Sequence, residues 1–311
     1  MWKTIFITGP TASGKSELAI YLAKKFNGEI INADSRQVYK YLDIGSGKIS
    51  EEETKKVPHY LLSTSHPIKN NSLGRWLKNA HKVIKKIIKK GKIPIFCGGT
   101  ILYLKVIKEG WILPDVKPNH KLRKKLEKES LEELYLQIKK IDSQRAKNLD
   151  LRNKRRLIRA LEIIYALGKV PKIKKEPKYE VLILSPKIDK EKLFKKIKRR
   201  LLKRIPGIIK EIKKLRKIGL SYKRIISFGL EYKWFGLYVE QTNLMQKKQK
   251  NSAKSELRSV ISACYKDILR FAKRQIRELE KIEGVVYAKD KKSAARIVEN
   301  FLKNNIIIKE R

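Results

Sequence analysis

Apolar and polar positions along the first hundred residues alternate between two rhythms. Thr4–Ile7 is a short, mostly apolar run, the habit of a strand covered on both faces. A glycine-rich turn follows, and then Leu18, Tyr21, Leu22 and Phe26 recur at helical spacing. Glu29–Asn32 reads as a second strand and runs out at Asp34. Leu77, Ala80, Ile84, Ile87 and Ile88 make one helical stripe that Gly91 stops. Ile93–Cys97 is a third strand, leading into Gly98-Gly99-Thr100. Strand, helix, strand, helix, strand predicts an α/β fold with a parallel sheet and right-handed crossovers.

After Pro114 the rhythm changes. The stretches around Leu122–Lys128, Leu131–Ile141 and Arg152–Leu167 are helical in pattern, and strand character returns only at Val181–Leu184. The expectation is an all-helical insertion, residues 115–175, interrupting a core built from 1–114 and 176–311. Beyond it, Leu193, Ile197 and Leu201 share a helix face, and Pro206-Gly207 reads as a break. A long helix carries Leu257, Ile261, Cys264, Ile268 and Phe271; Val285–Ala288 suggests a last strand and Ala294–Leu302 a closing helix.

Composition adds one large fact. Of 311 residues, 76 are Lys or Arg and 31 Asp or Glu, a formal charge of +45. The surplus is locally concentrated, with five basic residues among the eight from Arg152 to Arg159 and ten among the eighteen from Lys187 to Arg204. Such patches attract polyphosphate through counterion release, so a nucleic-acid partner is expected. Two cysteines, Cys97 and Cys264, are too few for a disulfide framework or a cysteine-only zinc site, and four scattered histidines suggest no cluster. No apolar run approaches the roughly 18 residues of a membrane span, and the N-terminal apolar stretch is too short for a signal peptide. The expected setting is the cytoplasm, without a membrane partner.

The chemistry begins at Gly9-Pro10-Thr11-Ala12-Ser13-Gly14-Lys15-Ser16, which fits G-x-x-x-x-G-K-[ST] between a predicted strand and a predicted helix. Glycines let the backbone turn its N–H groups toward a phosphate, the helix N-terminus adds partial positive charge, and Lys15 adds a full one. The Ser16 hydroxyl is of the kind that holds Mg²⁺. The motif does not say which polyphosphate. Asp34 ends the next strand and, in a parallel sheet, faces the same crevice; it suits a general base, a metal-shell ligand or a helix cap. Gly98-Gly99-Thr100 ends a third strand near that edge.

Taken together, GPTASGKS, NADSRQVY, DIGSGK (Asp43–Lys48), PHYLL (Pro58–Leu62) and GGTILYLK, followed by RRLIRALEI (Arg155–Ile163) and RFAKRQI (Arg270–Ile276), stand in the order and spacing of tRNA dimethylallyltransferases. The chain resembles that family over nearly its whole length. The resemblance implies a P-loop NTPase-like fold and transfer of a dimethylallyl group from its diphosphate to N6 of the adenosine 3′ of the anticodon. Carried over by position, Gly9, Thr11, Ala12, Ser13, Gly14, Lys15 and Ser16 would bind the diphosphate, with Mg²⁺ at Ser16. Asp34 would take the amino proton, and Thr100 and Lys15 would complete the catalytic set. Asp34, Ser35, Arg36 and Gln37 would line the flipped-out base.

Arg123, the segment Arg155, Arg156, Leu157, Ile158 and Arg159, and the segment Arg270, Lys273, Arg274 and Gln275 would meet tRNA. The insertion would grip the anticodon stem-loop, and a monomer is expected. Tyr39 and Tyr103 suit stacking on the base or a place in the core. The last basic motif departs from the family, since Leu269-Arg270 stands where Thr-Arg is usual. A P-loop kinase of RNA or small molecules, or an enzyme prenylating free adenine nucleotides, would share the phosphate loop.

Overall fold

The apolar runs become strands with both faces buried. The computed structural model describes residues 1–244 and 250–303. One unit opens with β1 (Trp2–Ile7), α1 (Lys15–Lys25), β2 (Gly28–Asn32), α2 (Glu51–Thr54), β3 (His59–Tyr60), α3 (Leu73–Lys89), β4 (Ile93–Cys97) and α4 (Ile101–Lys108). A second unit, Glu109–Pro177, holds β5 (Trp111–Ile112), α5 (His120–Leu126), α6 (Leu131–Ile141), α7 (Ser143–Lys147), α8 (Lys154–Leu167) and β6 (Lys174–Lys175). The first unit then resumes with β7 (Tyr179–Pro186), α9 (Lys190–Lys217), α10 (Tyr222–Ile226), α11 (Leu230–Leu244), α12 (Lys250–Glu280), β8 (Val285–Ala288) and α13 (Lys291–Lys303).

Six strands lie in the order β3-β2-β4-β1-β7-β8, all parallel. Residues of β1 alternate between two cores. Ile5 and Ile7 pack with Leu18 and Leu22 of α1 and Ala294 and Val298 of α13. Phe6 points the other way and stacks on Phe96 at 5.2 Å, beside Trp76 and Tyr103, whose rings lie 3.8 Å apart. Register brings the carboxyl ends level, because Cys97 is the partner of both Ile7 and Asn32. The chain therefore leaves β1, β2 and β4 at one height, where ligands of open α/β sheets bind. Gly98 permits that convergence: a Cβ there would sit 2.1 Å from the Ala33 carbonyl carbon. No helix among the described residues is long and apolar enough to cross a membrane.

The break expected at Pro206-Gly207 is absent, and α9 runs through both residues. Leu193, Ile197, Leu201, Ile205, Ile208, Ile212 and Leu215 are all buried along one continuous stripe. Several buried side chains, each worth about 1.5–3 kcal/mol, outweigh the roughly 3 kcal/mol that a proline costs inside a helix. Pro206 itself is exposed, so water can reach the carbonyl that lost its partner. Pro206→Ala is therefore expected to raise stability by about 1–3 kcal/mol, read as a higher denaturant midpoint.

In the second unit the ends are tied by the antiparallel ribbon β5–β6, which widens it from the expected 115–175 to 109–177. Its core is Leu126, Leu134, Ile138, Leu157, Leu161 and Ile164. Buried Glu162 sits among the helices, accepting two hydrogen bonds from Arg123 (2.6 and 2.7 Å), one from Arg159 (3.1 Å) and one from the Asn119 N–H (2.9 Å). Burial pushes this carboxyl up, but the donors, Arg123 foremost, outweigh it and hold it below the usual range. The stability it contributes is therefore complete above the unfolded pKa and is lost as the pH falls through the lower folded one. Thermal unfolding between about pH 5 and pH 3 should be more steeply pH-dependent in the wild type than in Glu162→Gln.

Candidate active site

The phosphate loop has the backbone its sequence demands. Gly9 and Gly14 adopt φ +145° and +88°, Ala12 adopts +63°, and α1 begins at Lys15. The Lys15 ammonium donates to the Pro10 carbonyl at 3.2 Å, curling over the loop. Burial lowers its pKa, a cost that an arriving anion would relieve. The buried Ser13 Oγ has no hydrogen-bond partner among the described residues. A loop of backbone donors with an unmatched hydroxyl and a desolvated ammonium suits a phosphate oxygen.

Across the cleft, Asp34 caps its own turn. Its Oδ1 accepts from the Arg36 N–H at 2.8 Å and the Gln37 N–H at 3.4 Å, while Asn32 binds the Asp34 backbone on both sides. Cap and base are thus compatible roles, since the turn uses one carboxylate oxygen. Thr100 Oγ1 accepts from the Ser35 N–H at 3.1 Å, and the Thr100 N–H donates to the Ala33 carbonyl at 3.2 Å. Gln275, buried on α12, joins the two halves: its Oε1 accepts from the Thr11 N–H and its Nε2 donates to the Gly99 carbonyl, each at 3.0 Å. Its expected RNA contact is therefore secondary to a bridging role, because both ends of the amide are engaged.

Of these residues Thr11, Lys15, Asp34, Ser35, Thr100 and Gln275 line one cavity of about 520 Å³. Its basic groups are Lys15, Arg36, Arg200, Arg204, Arg270 and Arg274, against Asp34, Glu231 and Asp267. Arg200 and Arg204 were hidden within the lysine-rich run 187–204; they differ from it only in being arginines four apart, on the face of α9 next to the buried stripe. Burial, with Arg204 in support, lowers the Arg200 pKa, and the Arg204 Nε is buried without a partner among the described residues. Burial pushes the Cys97 thiol up to about 11, with the Ser16 hydroxyl beside it, so it is a neutral lining group near pH 7.

Among the described residues no trio of His, Cys, Asp and Glu side chains is placed to hold a metal by itself. Ser16 is exposed at the cavity and offers a hard oxygen. That set fits an ion carried in largely by phosphate oxygens and water, the habit of Mg²⁺.

Other expected contacts distribute unevenly. Arg270 and Arg274 line the cavity with Phe271, while Lys273 lies outside it, its ammonium 5.6 Å from the Phe194 ring centre. Arg155 and Arg156 are exposed on α8. Leu157 and Ile158 are buried in the insertion core, so their expected tRNA contact is corrected to packing: an apolar side chain there gains more from burial than from a charged partner. Arg123 and Arg159 are tied to Glu162, which makes them structural first. Tyr39 and Tyr103 are likewise core, Tyr39 accepting from the Asn71 N–H at 2.9 Å and Tyr103 stacked on Trp76.

A family model described as IPP transferase matches residues 37–280. A tRNA dimethylallyltransferase of Acetivibrio thermocellus is 36% identical over 92% of this chain and 91% of its own. The full-length tRNA isopentenylpyrophosphate transferase of Bacillus halodurans superposes with a TM-score of 0.67 at 29% identity, covering 98% of this chain and 96% of that one. A eukaryotic dimethylallyltransferase acting on tRNA gives a TM-score of 0.82 at 27% identity, over all of this chain and 82% of the other. Phosphate loop, cleft carboxylate and basic lining thus occur in a chain that matches these proteins nearly end to end, and it belongs to the IPP transferase family.

Proposed function

We propose that the protein transfers a dimethylallyl group from dimethylallyl diphosphate to N6 of the adenosine 3′-adjacent to the anticodon of tRNA, acting as a monomer in the cytoplasm. The observation that carries this is the meeting of a phosphate-binding loop, a carboxylate and a hydroxyl at one basic cavity in a member of this family.

The residues divide the work by charge. Gly9, Thr11, Ala12, Ser13 and Gly14 form the loop that receives the diphosphate, with the unpartnered Ser13 hydroxyl as a donor, and Lys15 neutralises it as the bond from C1 of the prenyl chain to oxygen breaks. Mg²⁺, held by Ser16 and the diphosphate, would add positive charge to the same leaving group. The amino nitrogen forms the new bond to C1 and its proton passes to Asp34, while Thr100 holds the Ser35 backbone that frames the carboxylate. An adenosine reaches the cavity only by leaving its stack, at a cost of a few kcal/mol. Arg36, Arg270 and Arg274 offer the positive lining that receives the RNA backbone there.

The test is the mass of an unmodified anticodon stem-loop after incubation with protein, Mg²⁺ and dimethylallyl diphosphate. A gain of one dimethylallyl group supports the proposal; ATP consumption without that gain would instead favour a kinase. On the insertion, reversing the exposed Arg155 and Arg156 to Glu should weaken stem-loop affinity about tenfold and flatten its salt dependence. An unchanged slope would return those two side chains to a solvated helix face.

A further inference from the structure

One buried carboxylate outside the cavity lining holds a loop that lines it. Glu211 of α9 is buried, and its oxygens accept the backbone N–H groups of Asp43 (2.8 Å), Ile44 (2.7 Å) and Gly45 (3.0 Å) together with the Tyr232 hydroxyl (2.7 Å). The same Tyr232 oxygen accepts the Ser46 N–H at 3.0 Å. Four consecutive backbone donors therefore converge on one carboxylate and one phenol. Successive amides pointing inward form an anion-binding nest, and here the protein fills that nest with its own anion.

The outer side of the loop is bound as well. Arg204 donates to the Ile44 and Gly45 carbonyls. The Gly47 carbonyl accepts from Arg200 and from the Gln37 side-chain amide, each at 3.2 Å. Space is equally tight: a Cβ on Gly45 would meet the Tyr232 ring at 2.5 Å, and one on Gly47 would meet the Arg200 guanidinium at 1.9 Å. Gly45, Ser46, Gly47 and Gln37 all line the cavity. The loop thus meets the site directly and through its Gly47 carbonyl, which holds the side chain of Gln37, the residue whose backbone N–H reaches Asp34.

We propose that Glu211 is a positioning residue: by occupying the nest of the 43–46 amides it fixes the Gly47 carbonyl and, through it, the Gln37 side chain at the nucleobase end of the cavity. This rests on the prenyl-transfer reading for the identity of what Gln37 meets. Glu211→Gln puts an NH₂ group against inward-pointing donors, so the nest opens rather than merely weakening.

The experiment compares wild type, Glu211→Gln, Gln37→Ala and the double variant in steady-state transfer to an anticodon stem-loop, with calorimetric binding of inorganic diphosphate alongside. Expected are a rise in RNA KM of about tenfold or more in Glu211→Gln, a diphosphate Kd within about twofold of wild type, and a double variant no worse than Gln37→Ala alone. Additive losses, an unchanged RNA KM, or an equal loss of diphosphate affinity would overturn the proposal. Should Glu211→Gln fail to fold, Tyr232→Phe takes its place in the same cycle, with a smaller rise in KM and the same non-additivity expected.

If the wild type transfers nothing, the functional reading falls and hydrogen exchange decides the clamp. Faster exchange of the 43–46 amides in Glu211→Gln, with the phosphate-loop amides unchanged, would support it. Identical exchange would end it.

Discussion

Lys15→Ala is expected to abolish measurable transfer, lowering single-turnover rates by at least about a thousandfold and diphosphate affinity by about a hundredfold. The reason is the position of the ammonium. It is folded over the loop toward the Pro10 carbonyl, half-buried in the cavity wall, and burial lowers its pKa, so part of its hydration is already lost before any ligand arrives. A charge held in that state gives up little water on meeting diphosphate, and its attraction strengthens as the leaving group gains charge. Calorimetry with inorganic diphosphate and rapid-quench transfer read the two effects separately. Normal diphosphate binding in the variant would move the anion site away from this loop.

Asp34→Asn is expected to lower turnover by about a hundred- to ten-thousandfold while diphosphate affinity and RNA KM stay within a few-fold of wild type. The amide keeps the side chain's size and an oxygen for the Arg36 N–H, so the turn that carries Ser35, Arg36 and Gln37 survives. What it loses is the capacity to take a proton. Asp34→Ala would remove the cap along with the base and confuse the two roles, at a cost to the turn of about 1 kcal/mol. Turnover of Asp34→Asn within tenfold of wild type would dismiss the carboxylate as the base and leave it as a cap only.

What is legible in the chain depends on the range of the contacts that carry it. Strands β1, β2 and β4, helix α1 and the phosphate loop are written in contiguous residues, and their signals are local: apolar runs, a 3.6-residue stripe, glycines where φ must be positive. Asp34 and Thr100 follow from the same logic, because parallel pairing forces the ends of neighbouring strands to one edge. Pro206 misled for the opposite reason. A local rule for breaking helices was overruled by a buried stripe whose partners are distant in the chain.

The same holds at the site. Glu211 acts on amides 166 to 168 residues away, Arg200 on a carbonyl 153 away, and Gln275 on loops 176 and 264 away. Nothing in the neighbourhood of Glu211 or Arg200 marks either off from the lysine-rich helix around it, and the motif that singles out Gln275 pointed to an RNA contact rather than to a bridge between two loops. In the insertion, Arg123 and Arg159 look like RNA-facing arginines until packing pairs them with Glu162, and Leu157 turns inward to join the core of that unit.

By itself, then, the sequence determined the α/β class, the place of the insertion, the phosphate loop and the two strand-end residues, since each rests on contacts between near neighbours or on strand pairing. Which arginines face the cavity, what anchors its far wall and which expected contacts are core were decided only by tertiary packing. A hydrogen bond between remote residues exists only once the helices that carry them have been brought together by burial.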